Sequence, residues 1–148
     1  MKKLTHTDKT GKAAMVDIGN KEVCLRIARA LGHITLAENT LGLIKDNLLK
    51  KGDVLTVAQL AGINAAKQTS DLIPLCHNIV LDSIKVEVLT DDSGITAVSE
   101  VRCTGRTGAE MEALCAVSIA LLTVYDMCKA VDKHMVIDNI SLLEKTKK

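Results

Sequence analysis

The chain has 148 residues, of which 47% are apolar and 25% charged, with a net charge of +1. That length fits one domain with its own core, and the near-neutral charge excludes bulk nucleic-acid binding, so anion recognition must rest on a local cluster of Lys and Arg. One Tyr and no Phe or Trp leave a core of Leu, Ile, Val, Ala and Met; no apolar run reaches the ~18 residues of a membrane span.

Residues 1–21 contain Gly11, Gly19 and Asn20, little periodicity and no apolar leader, and read as an extended N-terminal arm without a secretory signal. Between Glu22 and Leu36 two periods compete. Val23, Leu25 and Ile27 alternate as in a strand, while Val23, Ile27, Leu31 and Ile34 fit a helix; Gly32 and the following helix favour the strand. Asn39-Thr40 is the expected cap of a helix that carries Leu41, Ile44, Leu48 and Leu49 and ends near Gly52. Asp53 is placed to cap a second helix from Val54 to about Thr69, which stops before Pro74. Alternation over Ser83 to Thr90, a turn at Asp91-Asp-Ser-Gly94 and alternation again from Ile95 to Cys103 predict a β-hairpin. After the loop Thr104 to Gly108, a long apolar helix runs from Ala109 to about Val131, and Met135 to Leu143 reads as the last strand. The order β-α-α-β-β-α-β is that of an α+β, ferredoxin-like domain: one antiparallel sheet with helices packed on one face, the whole of 1–148 forming a single catalytic domain. The other face is left open, and an apolar open face invites oligomerisation.

Three stretches carry chemistry. In Asp71-Leu-Ile-Pro-Leu-Cys-His77 the only proline forces the backbone out of the helix and delivers Cys76 and His77 to a fixed place. The bland alternative is a helix-ending loop with a buried Cys and a surface His. In Gly105-Arg-Thr-Gly-Ala-Glu-Met-Glu112 two glycines precede a helix, which suits close approach of an anion. Glu110 and Glu112 repel a bare phosphate there and are better matched to the N–H donors of a base. Near the other end of that helix Asp126, Lys129 and Lys133 share a face. They form either a surface ion-pair group or an acid/base pair in which Lys129, beside another cation or partly desolvated, has a lowered pKa. Lys51 and Lys67 add two ammoniums that would make a polyphosphate pocket if they converge. Five cysteines, with no Cys-x-x-Cys or His-x-x-x-His spacing, predict reduced thiols in a cytoplasmic protein and no zinc site.

Read together, several motifs resemble the cyclic pyranopterin monophosphate synthase family, the second enzyme of molybdenum cofactor biosynthesis. They are Met15-Val-Asp17, Lys51-Gly-Asp-Val54, Ala61-Gly-Ile63, Ala65-Ala-Lys67, Asp71 to His77, Thr104-Gly105, Thr107-Gly108, Glu110 to Leu114 and Tyr125-Asp-Met-Cys-Lys-Ala130. The resemblance implies a lyase that takes a cyclised dihydro-GTP to cyclic pyranopterin monophosphate and pyrophosphate. By matching positions it implies Asp126 as the catalytic residue with Lys129 as its partner. Leu75, Cys76, His77, Met111 and Glu112 would bind substrate, with Lys51 and Lys67 in the same pocket. No cofactor is required, although Mg²⁺ can accompany the triphosphate. It also implies a dimer-based homo-oligomer, a hexamer, with active sites at subunit interfaces, and no membrane or nucleic-acid partner. Asn78, where the family often has proline, and Gln59, Gln68 and Arg106, at positions of frequent Arg or Lys, depart from the pattern. Two other classes compete: a nucleotide-sensing module without turnover, and a metal-dependent hydrolase of ordinary GTP.

Overall fold

A computed structural model describes residue 7 and residues 10–148. The chain order is β1 (Cys24–Thr35), α1 (Glu38–Lys45), α2 (Val54–Lys67), α3 (Thr69–Leu72), β2 (Ser83–Thr90), β3 (Gly94–Gly105), α4 (Glu110–Cys128) and β4 (Val136–Lys147). Much of the expected arm, 1–6, 8 and 9, lies outside the described residues; from 10 to 21 the backbone is irregular, with one isolated bridge between Thr7 and Ala13.

All four strands pair antiparallel in the order β2-β3-β1-β4. This is the split βαβ arrangement expected from the element order. β1 settles as a strand because it lies between two partners, pairing with β3 from Cys24↔Gly105 to Thr35↔Gly94 and with β4 on its other edge. Its helix-facing row is Ala28, Ala30, Gly32 and Ile34, mostly small residues, so α4 sits close to the sheet. A Cβ on Gly32 would come within 2.7 Å of Val117, 2.8 Å of Leu121 and 3.1 Å of Ile140. Opposite Gly32, β4 bulges at Asn139, whose φ of 55° is left-handed.

α4 is the spine of the core. Ala113, Ala116, Val117, Ala120, Leu121 and Val124 are almost wholly buried between the sheet and α2. By length and composition α4 is apolar enough to cross a bilayer, but it serves here as a core helix. α2 crosses it at Gly62, where a Cβ would lie 2.8 Å from the Ala116 carbonyl oxygen. Asp53 caps α2 by accepting from the Thr56 N–H at 3.1 Å, as expected. Its carboxyl is held below the usual range by the bonds from Thr56.

Three expectations are corrected. α1 starts after Ala37, not at Asn39-Thr40, and Thr40 is buried within it. It ends at Lys45 in a Schellman turn: the Leu48 N–H bonds the Leu43 oxygen and the Asn47 N–H bonds the Ile44 oxygen, with Asn47 at φ 53°. Leu48 is therefore left exposed, while Leu49 is buried. β4 runs past Leu143 to Lys147, because backbone pairing with β1 continues through a polar tail: the Lys148 N–H donates to the Leu25 oxygen and the Leu25 N–H to that of Lys148. The open sheet face is not simply apolar. Ile27, Leu31 and Val98 share it with Arg29, Glu100, Arg102 and Glu144, and Arg102 bonds Glu100 at 2.9 Å.

Candidate active site

The chemistry-bearing residues fall at the two ends of α4. At its C-terminal end the Asp126 carboxylate lies between two ammoniums. Oδ1 accepts from Lys129 Nζ at 2.7 Å and Oδ2 from Lys51 Nζ at 2.8 Å, and Lys51 also donates to the Asp126 backbone oxygen at 3.0 Å. Lys129 lies one turn on from Asp126 because of helical spacing; Lys51 arrives from the loop between α1 and α2. Lys133 closes the group by donating to the Lys129 backbone oxygen at 2.5 Å. Two ammoniums on one carboxylate, with the Lys133 ammonium on the adjacent backbone, leave a net positive patch on exposed side chains. The hydrogen bonds from Lys129 and Lys51 hold the Asp126 carboxyl down at about 2. Reciprocally, Asp126 pushes the Lys129 ammonium up. Of the two readings of this face, the structure shows the ion pair; the lowered Lys129 pKa of the other is reversed, since its nearest neighbour is an anion and not a cation.

At the N-terminal end Leu75, Cys76 and His77 form one wall of a cavity of about 160 Å³. Thr107, Gly108, Met111 and Glu112 form the other. Pro74 ends the one-turn α3, and the Cys76 N–H bonds the Ile73 oxygen, so the turn is tight. His77 Nε2 donates to the Val16 oxygen at 2.7 Å, which leaves Nδ1 as an acceptor. Glu112 is 5% exposed. Burial pushes its carboxyl up, its own backbone N–H opposes that, and the Glu110 charge adds to it. Cys76 is also pushed up, by burial and then by Glu112 and Cys115, so it stays a thiol and is a poor nucleophile.

Residues 15–148 match the MoaC family. The chain belongs to the MoaC family. It is 54% identical over 145 residues to molybdenum cofactor biosynthesis protein 1 of Drosophila melanogaster, an alignment covering 97% of this chain and 26% of that protein. The chain therefore spans about a quarter of the length of that curated relative.

In this MoaC domain, Leu75, Cys76, His77, Met111 and Glu112 all line one cavity, and Lys51, Asp126 and Lys129 form one cluster. The structure does not bring the two groups together. Glu112 and Asp126 are 14 residues apart on α4, roughly 21 Å at 1.5 Å per residue. Lys67 belongs to neither group. It ends α2 beside Ile79, Leu81 and Ile84, a full helix length from Lys51. Sequence reasoning left out the Val16 carbonyl that orients His77, although the Met15-Val-Asp17 motif pointed to it. It also left Lys133 off the site; Lys133 lies beyond the end of α4 and reaches the cluster by its bond to the Lys129 backbone oxygen. Among the described residues no three of His, Cys, Asp and Glu converge as metal ligands.

Proposed function

We propose that the chain is a cyclic pyranopterin monophosphate synthase, a pyrophosphate-releasing lyase acting on (8S)-3',8-cyclo-7,8-dihydroguanosine 5'-triphosphate. The observation that carries this reading is the division of labour along α4: a buried carboxylate in a half-enclosed cavity at one end, and a carboxylate clamped by lysines at the other. The cavity suits the base, because ionised Glu112 accepts guanine-type N–H donors and the His77 Nδ1 can accept another. The lysine cluster suits the triphosphate and stabilises the charge that develops on departing pyrophosphate.

Asp126 at about 2 is too weak a base to move protons at neutral pH while both ammoniums hold it. The substrate itself removes that restraint. Phosphate oxygens compete for Lys51 and Lys129, Asp126 loses its partners, and its pKa rises towards the range in which it exchanges protons with the purine being opened. Lys129, left protonated, serves as the acid. In this reading Mg²⁺ travels on the triphosphate as part of the substrate.

A cavity of about 160 Å³ is below the roughly 300–1,000 Å³ of a small-molecule site. That shortfall and the ~21 Å between the two groups support sites shared between subunits. A two-fold contact would bring the start of one α4 near the end of its partner's, with such dimers assembling to a hexamer. Five free thiols support a reducing, cytoplasmic setting. The test is incubation with the cyclised substrate while following pyrophosphate and a fluorescent pterin together. Binding without either product would point to a sensor module, and pyrophosphate from ordinary GTP to a hydrolase.

A further inference from the structure

Asp132 is buried to 4% exposure, and neither group of site residues uses it. Its close partners are two backbone amides and a hydroxyl. Oδ2 accepts from the Ala37 N–H at 2.8 Å and Oδ1 from the His134 N–H at 3.1 Å, and Thr40 bonds it as well. Ala37 is the residue before α1, which has no side-chain cap of its own. A carboxylate from the far end of the chain therefore sits at the positive end of α1 and does the work of a cap.

Both lysines on Asp126 hang from backbone that this carboxylate joins. Lys129 caps α4, and the next turn closes when the N–H groups of Val131 and Asp132 both bond the Cys128 oxygen, at 2.9 and 3.0 Å. Lys129 is thus held between two buried residues, Cys128 and Asp132. On the other side, α1 is eight residues long and buries only Thr40, Leu41 and Ile44 before the chain passes through its Schellman turn to Lys51. A tether at the N-terminus of α1 fixes the frame from which Lys51 reaches across.

We propose that Asp132 is a positioning residue that ties these two backbone segments together and so sets the Lys51–Asp126–Lys129 cluster. This rests on the reading of Asp126 and Lys129 as the reacting pair.

The variant Asp132→Asn keeps the shape but turns one acceptor into an NH₂ group facing an amide donor. In the full chain the Asp126 carboxyl carbon, followed by NMR, should titrate above its starting midpoint of about 2. At a temperature where the variant is folded, kcat should fall by about ten- to a hundredfold, with a smaller change in KM. Thr40→Val removes one hydroxyl bond to the same carboxylate and should move both readouts the same way by less; it carries the test if Asp132→Asn does not fold. A lower Tm with the Asp126 midpoint and kcat of wild type would overturn the proposal and leave Asp132 merely structural. A shifted midpoint with unchanged kcat would uphold the tether and instead remove Asp126 from the chemistry.

Discussion

Asp126 has two ammonium partners within 2.8 Å, and that excess of positive charge has measurable consequences. In the free protein its carboxyl should titrate near 2, and it should rise when pyrophosphate binds and draws the lysines away. A midpoint unmoved by saturating pyrophosphate would mean that the cluster does not receive phosphate. Its contribution to stability is present above the unfolded carboxyl value of 3.8 and is lost as pH falls towards about 2. Asp126→Asn should lower turnover by about a hundredfold or more with substrate still bound, and near-normal turnover would remove it from the reaction. Glu112 shows the opposite sign. Burial raises its pKa, so the native state binds more protons than the unfolded chain and stability falls as pH rises through that range. Glu112→Gln should therefore raise Tm at pH 7, with the gain vanishing in acid. It should also weaken substrate binding by about tenfold or more, because charge-assisted bonds are lost. Calorimetry at two pH values and one binding isotherm check both halves.

At the scale of elements, the glycine at the α2–α4 crossing makes the close packing possible. Gly62→Val gains helix propensity but drives methyl groups into the Ala116 carbonyl and Val86. It should cost about 1–3 kcal/mol by overpacking, read as a lower Tm with no change in the pH dependence of turnover. The sequence predicted those elements whose signals are local. Asp53 three residues before Thr56, the turn at Asp91 to Gly94 and the single proline each act within a few residues, and the structure places them as expected. The start of α1 was not legible, because its cap comes from Asp132, 95 residues away. β4 runs longer than its apolar pattern because β1 supplies hydrogen bonds to a tail in which Glu144, Lys145 and Lys147 are exposed. At the candidate site, the motifs named side chains that the structure gathers into one cavity and one lysine cluster, but not the partners each would meet there. Spacing puts Lys129 beside Asp126, and the structure pairs them; what spacing leaves open is the sign of the Lys129 shift, which the Asp126 carboxylate makes upward. Lys67 was grouped with Lys51, although α2 holds them a helix length apart. Helix face is encoded in spacing; what lies across the gap is encoded in tertiary packing.

At the scale of the whole molecule, α4 sets a length that one small substrate cannot span. The base cavity and the lysine cluster are roughly 21 Å apart in one chain, and both are needed in the proposed reaction. If two chains pair across a two-fold axis, each site takes Glu112 and His77 from one subunit and Asp126, Lys129 and Lys51 from the other. Complementation separates this from a site within one chain. Asp126→Asn protein should be nearly inactive alone, and Glu112→Gln protein should retain about a tenth or less of wild-type activity when assayed well below substrate saturation. After subunit exchange, a mixed dimer holds one site with both substitutions and one with neither, so activity should return to a fraction of wild type. In dimers formed at random from equal amounts, about half are mixed and each carries one intact site, so recovery should approach about a quarter of the wild-type value per chain. Recovery requires that the subunits exchange, which mass spectrometry of differently labelled chains can establish in the same sample. No recovery in a sample shown to contain mixed dimers would mean that each chain closes its own site. The cavity at one end of α4 would then have to reach the lysines at the other by a rearrangement within the chain.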